Sequence, residues 1–406
     1  MLSKEKAERI KRIAEKYRDV PAPHGEDIDL SKYRIEESRI DINSLEDLSE
    51  EEKSKLESIG IDTREESTSG SYLQINNDVV YTRAKSKIEI IPISEALKKY
   101  NLDDYFWNLV EIKDKYTARV ALERTGGFFI RVPKGVKETL PLQTCLLIGK
   151  ENASQNVHNI VIVEEDAELN IVTGCATSPH VKSGLHISVS EFYIKKNGKL
   201  TYTMIHDWGE NVHVRPRTGI YIEDNGVFIN NYVVITPVKS IQSYPTVYCA
   251  GKNSKATLQT VVYGRKESRI DLGSKVILSG NESRADIISR SIADDTSEVV
   301  ARGRLVGEGE NIKGHLECKG LIISDNARLY AVPELDARRS NIDLSHEAAV
   351  GKIAEEQLIY LMSRGLTEEE AVSLIIKGFL SMDLSGLPPT LAKAVERIMD
   401  MTLEGL

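Results

Sequence analysis

Asn197, Asn225, Asn253 and Asn281 fall 28 residues apart each time, and each stands in a polar turn between β-rich runs. A fixed period of that length restricts what the chain can become. Runs such as HNIVIVEEDAELNIV, LHISVSEFYIKKNGKLTYTMI and TGIYIEDNGVFINNYVVI follow one another from Gly126 for some two hundred residues, with no helical pattern between them. Short strands in such number admit a sandwich, a barrel or a β-helix. The near-regular step favours stacked coils, because each repeat then buries its apolar face on the next. A large β-sandwich with chance spacing is the alternative, and periodicity alone does not decide between them.

The flanks read differently. Ala7, Ile10, Ile13, Ala14 and Tyr17 recur at helical spacing behind Ser3, a suitable cap, so residues 4–18 are expected to be helical. Ser49 with Glu52 forms a capping box for a short helix through Leu56, and Gly60 ends it. Ser67–Gly70 reads as a flexible joint, and Ile93–Tyr100 and Leu102–Val110 as two short helices. After Ala354 a helix runs from Glu355 to Gly365, and Thr367 with Glu370 caps the next. The apolar stripe of that second helix is Ala371, Leu374, Ile375, Gly378 and Phe379. Pro388 and Pro389 open a third helix to about Leu403. The expected division is a partly helical region over 1–115, a β core over 116–345 and a helical region over 346–406. The last helices are expected to close the end of the β-stack, to dock a partner, or both.

Composition narrows the function. A net charge of −9 without a basic block argues against nucleic-acid binding, which needs a basic surface. No apolar run approaches a membrane span, and the charged start MLSKEKAERIKRIAEKY lacks a signal-like apolar stretch, so a cytoplasmic protein is expected. The four cysteines, Cys145, Cys175, Cys249 and Cys318, are scattered with no CxxC, which excludes a compact cysteine-only metal motif. In a reducing compartment such thiols are usually buried small hydrophobes. No GxxxxGK[ST] is present, so the chain carries no phosphate-binding loop of its own.

The stretch with the most chemistry is ECKGLIISDNARLYAVPELDARRSNIDLSHEAAVGKI. Cys318 is followed 28 and 29 residues later by His346 and Glu347, and immediately afterwards the pattern turns from strand to helix. If the Cys318 strand alternates, Leu316, Cys318, Gly320 and Ile322 share one face and Glu317, Lys319 and Leu321 the other. Adjacent His346 and Glu347 then point to opposite sides. The bland readings are a core thiol and a structural histidine.

Several segments resemble the SufB/SufD family, the scaffold subunits of the SUF iron–sulfur cluster assembly system. They are TGGFFIRVPKGVKETLPLQ, TGCATSP, MIHDWGE around Trp208, and HEAAVGKIAEEQLIYLMSRGLTEEEAVSLIIKGF. The resemblance covers roughly residues 60–406 and implies a mainly β fold: a right-handed parallel β-helix with helical regions at both ends. His346-Glu347-Ala348 is the SufB-like form of a motif that SufD-like chains usually write His-Gly-Ala. The resemblance implies a transient Fe–S cluster held by Cys318, Glu347 and His346, and Cys175 as the acceptor of sulfur from a donor protein. It also implies a SufC-type ABC ATPase docked around 355–380 and a second SufB/SufD-like subunit, here a further copy of the same chain. In such a homodimer one copy would offer Cys318 and Glu347 and the other His346. His206 stands where the family pattern has a glutamine, which puts the sulfur route in doubt. A SufD-like adaptor without cluster ligands is the alternative, and a β-helix polysaccharide lyase is disfavoured by the terminal helices.

Overall fold

A computed structural model describes residues 2–38, 42–123 and 125–380. The chain is mainly β, with 46% strand against 17% helix, and winds into a parallel β-solenoid of about eight turns with helices at both ends. From Phe128 onward successive strands alternate between two sheets, with Ser240–Ser243 and Thr246–Cys249 sharing one, and pair in parallel with the strand one coil later. The register gives the coil length directly. Along one sheet Glu168, Lys199, Val227, Lys255, Arg284, Lys313 and Asp343 are successive partners, so the step is 31, 28, 28, 29, 29 and 30 residues.

The asparagine period is the turn of this coil. Asn197, Asn225 and Asn253 adopt φ of 56°, 55° and 54°. That left-handed conformation penalises a Cβ, and Asn tolerates it better than most residues. Their side chains stack: Asn253 Nδ2 donates to Asn225 Oδ1 and Asn225 Nδ2 to Asn197 Oδ1, both at 3.0 Å. Asn197 Nδ2 donates to Asp166 Oδ1 at 2.8 Å, so an aspartate begins the ladder. Asn281 leaves it. The coil lengthens by one residue there, and Glu282 takes the left-handed place at φ 61°.

Alternation sorts the side chains. Inner-face residues from both sheets form one long apolar core, which includes Val161, Ile171, Phe192, Leu200, Phe228, Leu258, Ile287 and Leu316. On the outside, helix Lys4–Tyr17 and helix Lys115–Leu122 cover Leu185, Ile187 and Val189. The expected helix over Leu102–Val110 does not form. Buried Glu191 accepts from the backbone N–H of Trp107, Asn108, Leu109 and Val110 at 2.5 to 3.3 Å. A carboxylate with four backbone donors competes successfully with i−4 carbonyls, and the segment wraps around it. Ser67–Gly70 is no joint either. Thr68 Oγ1 and Ser69 N–H both donate to Pro141 O, and Gly70 starts a strand.

The sheets also overrun the expected limits of 116 and 345. Strands Gly70–Ile75 and Asp78–Ala84 open one sheet, and Ile342–Lys352 ends it. Helices Ile93–Lys99 and Glu50–Glu57 stand where expected, the latter with its capping box. Helix Glu355–Ser363 and the capped helix Glu368–Leu380 follow the last strand. The latter lies on the outer face of a sheet rather than across the end of the stack. Ala371, Ile376 and Leu380 are buried there, with Val372, Ile375 and Phe379 packed beside them. The stripe is therefore rotated from the expected one, and Leu374 is 50% exposed. The helix expected from Pro388 lies outside the described residues.

The turn geometry makes a checkable difference. Asn225→Ala forces a Cβ residue into the left-handed region and removes both ladder bonds, whereas Asn225→Gly removes only the bonds. The glycine variant is expected to be the more stable of the two by about 1 kcal/mol, read from denaturant midpoints.

Candidate functional site

The solenoid ends on strands Arg328–Ala337 and Ile342–Lys352, the last in their two sheets. No described residue covers this end. Leu335 and Val350 continue inner-face rows, yet are 41% and 42% exposed. Here the register decides which chemical groups meet. Leu316 pairs with His346, Glu317 with Glu347 and Cys318 with Ala348. Cys318 therefore faces inward with the core and is buried. His346 continues the same inner face one strand further out, where it is exposed because no further coil follows among the described residues. Glu347 points the other way. Cys318 thus shares a face with His346 and not with Glu347, the reverse of the pairing expected for one copy.

On the outer face Glu347 meets two residues that sequence reasoning passed over. The ligand atoms of His315, Glu317 and Glu347 lie within 4.8 Å of one another, a spacing that one divalent cation can bridge. Basic neighbours already serve this cluster. Lys319 reaches Glu317 at 3.3 Å and Glu347 at 3.5 Å, and Arg290 pairs with Glu317. Burial pushes the Glu317 carboxyl up, but hydrogen bonds and charge from Arg290 and Lys319 outweigh it and leave the carboxyl below its ordinary value. His315 Nδ1 is bonded to Ser345 Oγ at 2.9 Å. The signal for these residues was the coil step itself: at 30 residues per turn, position 317 lies beside 347 and 315 beside 345.

The four thiols are all buried. Burial, with the Glu317 charge added, pushes Cys318 up to about 11. Cys145 faces outward into the packing under the N-terminal segment, and burial raises it further still. Cys249 is core on the inner face, pushed up to about 12 by burial, with a Ser254 hydrogen bond as a smaller opposing effect. Cys175 faces the lumen, and burial raises it well above its ordinary value. Its register neighbours are Leu146 and His206.

Cys175 and Cys318 are connected by a row of inner-face side chains. Thr173, two residues before Cys175, leads in register through Met204, Tyr232, Thr260 and Ser289 to Cys318. Five strand spacings make this about 24 Å. Most inner rows are apolar and filled. This one is largely hydroxylic, and Met204 and Thr260 are only half-buried although they face inward.

Fold and site define a parallel β-solenoid protein with thiol, imidazole and carboxylate groups gathered at an open terminal coil. The family described as "SUF system FeS cluster assembly, SufBD core domain" matches residues 146–379. A Methanothermobacter thermautotrophicus protein described as "Iron-sulfur cluster assembly SufBD family protein" is 49% identical over 97% of this chain and 98% of its own length. Proteins so described from Archaeoglobus fulgidus and Pyrococcus horikoshii are 44% and 34% identical, over 86% and 93% of this chain and 95% and 86% of their own lengths. The chain belongs to the SufBD family of iron–sulfur cluster assembly proteins. Among the described residues no helix is long and apolar enough to cross a membrane.

The buried thiols leave a signature in alkali. An unfolded thiol ionises near 9.0, and folded Cys249 keeps its proton to about 12. Between those values the unfolded chain binds fewer protons, so stability falls as pH rises, by up to about 1.4 kcal/mol per pH unit for this thiol. The denaturation midpoint of Cys249→Ala is expected to fall less steeply than that of wild type from pH 9 to 12.

Proposed function

We propose that the chain is a SufB-like scaffold on which a nascent iron–sulfur cluster is assembled and from which it is passed on. In this reading the cluster is cargo rather than a resident cofactor. The observation that carries it is the terminal coil. Cys318 and His346 lie on one face and Glu347 on the other of an edge that no described residue caps. A thiolate is the ligand iron takes most readily in cluster chemistry, and imidazole and carboxylate are harder partners. A mixed set holds a cluster less tightly than four thiolates, which suits release.

The same edge supports self-association. Unpaired strand edges together with exposed Leu335 and Val350 form an apolar, hydrogen-bonding surface that a second copy can match. A homodimer formed there brings two sets of Cys318, His346 and Glu347 to one interface, so that ligands on opposite faces of one chain need not all serve one centre. Sulfur is received at Cys175 from a donor protein as persulfide. Hydrolysis of ATP belongs to a SufC-type ABC ATPase. Its docking surface is the helix pair Glu355–Ser363 and Glu368–Leu380, where Ile359, Tyr360, Met362 and Leu374 are exposed apolar side chains. Helix-in-groove docking uses such anchors.

Three measurements bear on this. In anaerobic reconstitution with iron and sulfide, Cys318→Ser is expected to lose the cluster absorption, and Cys145→Ser and Cys249→Ser to keep it. Glu347→Ala is expected to lose part, because water can take one oxygen position. Equal cluster yield from Cys318→Ser and wild type refutes the reading. Val350→Lys is expected to shift the protein from dimer to monomer in light scattering with its circular dichroism unchanged. Leu374→Asp is expected to end co-purification with the ATPase without loss of stability, since the side chain is half in solvent. Phe379→Asp is expected to destabilise the helix packing itself, by about 2–4 kcal/mol.

A further inference from the structure

Arg215 is a buried cation that no described carboxylate bonds. It stands on the outer face of strand Asn211–Ile222 and is 0% exposed. Its Nη1 donates to Val214 O and Ser240 O at 2.9 and 3.3 Å, and its Nη2 to Ser240 Oγ and Glu26 O at 2.9 and 3.1 Å. All of these acceptors are neutral, and Nε is buried without a partner. Two other arginines on the same outer face are served differently. Arg217 donates through Nε and Nη2 to Asp114 at 3.1 and 3.0 Å, and Arg302 through the same atoms to Asp271 at 2.6 and 3.0 Å. Burial lowers the pKa of Arg215, and the nearby Tyr116 ring and Glu26 carboxylate offset this only in part. A buried charge that meets neutral acceptors alone costs stability and calls for an anion.

Space for one adjoins it. Arg215 lines a cavity of about 640 Å³ on this face. One wall is the loop at Gly25 and Glu26, pinned to the sheet where Gln242 Nε2 donates to His24 O. Another side is the register row Ser240, Arg269 and Glu298. Arg269 donates Nη1 to Thr296 O at 2.9 Å and bonds no described carboxylate. Of the other lining charges, Lys239 reaches Glu267 at 3.2 Å and Asp271 holds Arg302. Glu26 and Glu298 also line the cavity, so an anion has to be held by the deep guanidinium rather than by a general positive field. Glu26 does not fill that place: its carboxylate is half-exposed and lies 4.0 Å from His213. A cavity of this volume suits a small organic molecule, for which about 300–1,000 Å³ is usual. Guanidinium meets carboxylate and phosphoryl oxygens with paired N–H donors, and a charged acceptor is about twice as strong as a neutral carbonyl.

We propose that this cavity binds a small organic molecule through an oxyanion group, carboxylate or phosphoryl, with Arg215 as the counter-charge and Ser240 and Arg269 as further donors. The oxyanion competes with the Glu26 carbonyl for the guanidinium, so binding is felt in the loop around Gly25. The site does not depend on the scaffold reading.

Acetate and inorganic phosphate are the probes, each compared with chloride at one pH and ionic strength. The thermal midpoint of the full-length protein is expected to rise saturably with at least one of them, since a ligand of the folded state alone stabilises it with concentration. A response to phosphate alone indicates a phosphoryl ligand, and a response to acetate a carboxylate. Arg215→Gln is expected to need about tenfold more anion for half the shift, the factor of a charge-assisted hydrogen bond. Arg217→Gln, at a guanidinium that already has Asp114, is expected to unfold at a lower temperature and yet keep the wild-type anion dependence. Hydrogen exchange of the wild type serves if Arg215→Gln does not fold: the active anion is expected to change exchange in residues 24–28 and 240–243. No shift beyond chloride with either anion overturns the proposal. So does a shift that Arg215→Gln retains in full, or an exchange response confined to other segments.

Discussion

Everything in this molecule depends on parallel backbone pairing between coils 27 to 31 residues apart. Each strand satisfies its N–H and C=O groups on the strands one coil before and one coil after. The turns continue the ladder outside the strands: Asn197 N–H donates to Asp224 O, Asn225 N–H to Lys252 O, and Asn253 N–H to Asn281 O. Because the pairing is parallel and in register, a residue's neighbours are set by the coil step. Inner-face rows are therefore continuous over the whole length of the stack, and a group at one position bears on the equivalent position of the next coil. The same rule that fills the core with Val, Ile and Leu aligns Glu317 with Glu347 and Cys175 with His206.

A ladder of this kind has to end, and the end is where its chemistry becomes reachable. An interior strand is covered on both edges, and a terminal one is not. His346 continues a row in which Leu316, Ile287, Leu258 and Tyr202 are buried, and Leu316, its register partner, fully so. On the last strand the same row is open to solvent. The helix Glu368–Leu380 does not compensate, because its apolar side is committed to the outer face of the sheet around Val261, Tyr263 and Ile292. An open edge is a liability for a lone protein and a ready surface for a paired one.

The interior is less uniform than a packing argument requires. Apolar rows suffice to stabilise a solenoid, yet Thr, Ser and Tyr line the row from Thr173 to Cys318, and His186, His206 and Trp208 lie inside it. His186 is satisfied by Gln155 at 2.8 Å, and burial holds its imidazole at about 3. His206 is satisfied on one nitrogen only. Polar groups in a low-dielectric interior cost stability unless paired.

Alternation and the asparagine turns pointed toward stacked coils without deciding against a sandwich, since both report only the local backbone; the resemblance to the SufB/SufD family supplied the β-helix. Ser49 with Glu52 and Thr367 with Glu370 fixed two helix starts for the same local reason. Segments whose hydrogen bonds go to distant partners were not legible. Leu102–Val110 has the composition of a helix, but Glu191, more than eighty residues away in sequence, takes its N–H groups. Thr68 and Ser69 look like a hinge and instead bond to Pro141. For the site, the sequence supplied Cys318, His346 and Glu347 and the fact that the last two diverge. Which of them shares a face with Cys318, and that His315 and Glu317 join Glu347, followed only from the register between strands. That register is set by the summed lengths of the intervening turns, which single-residue patterns do not encode.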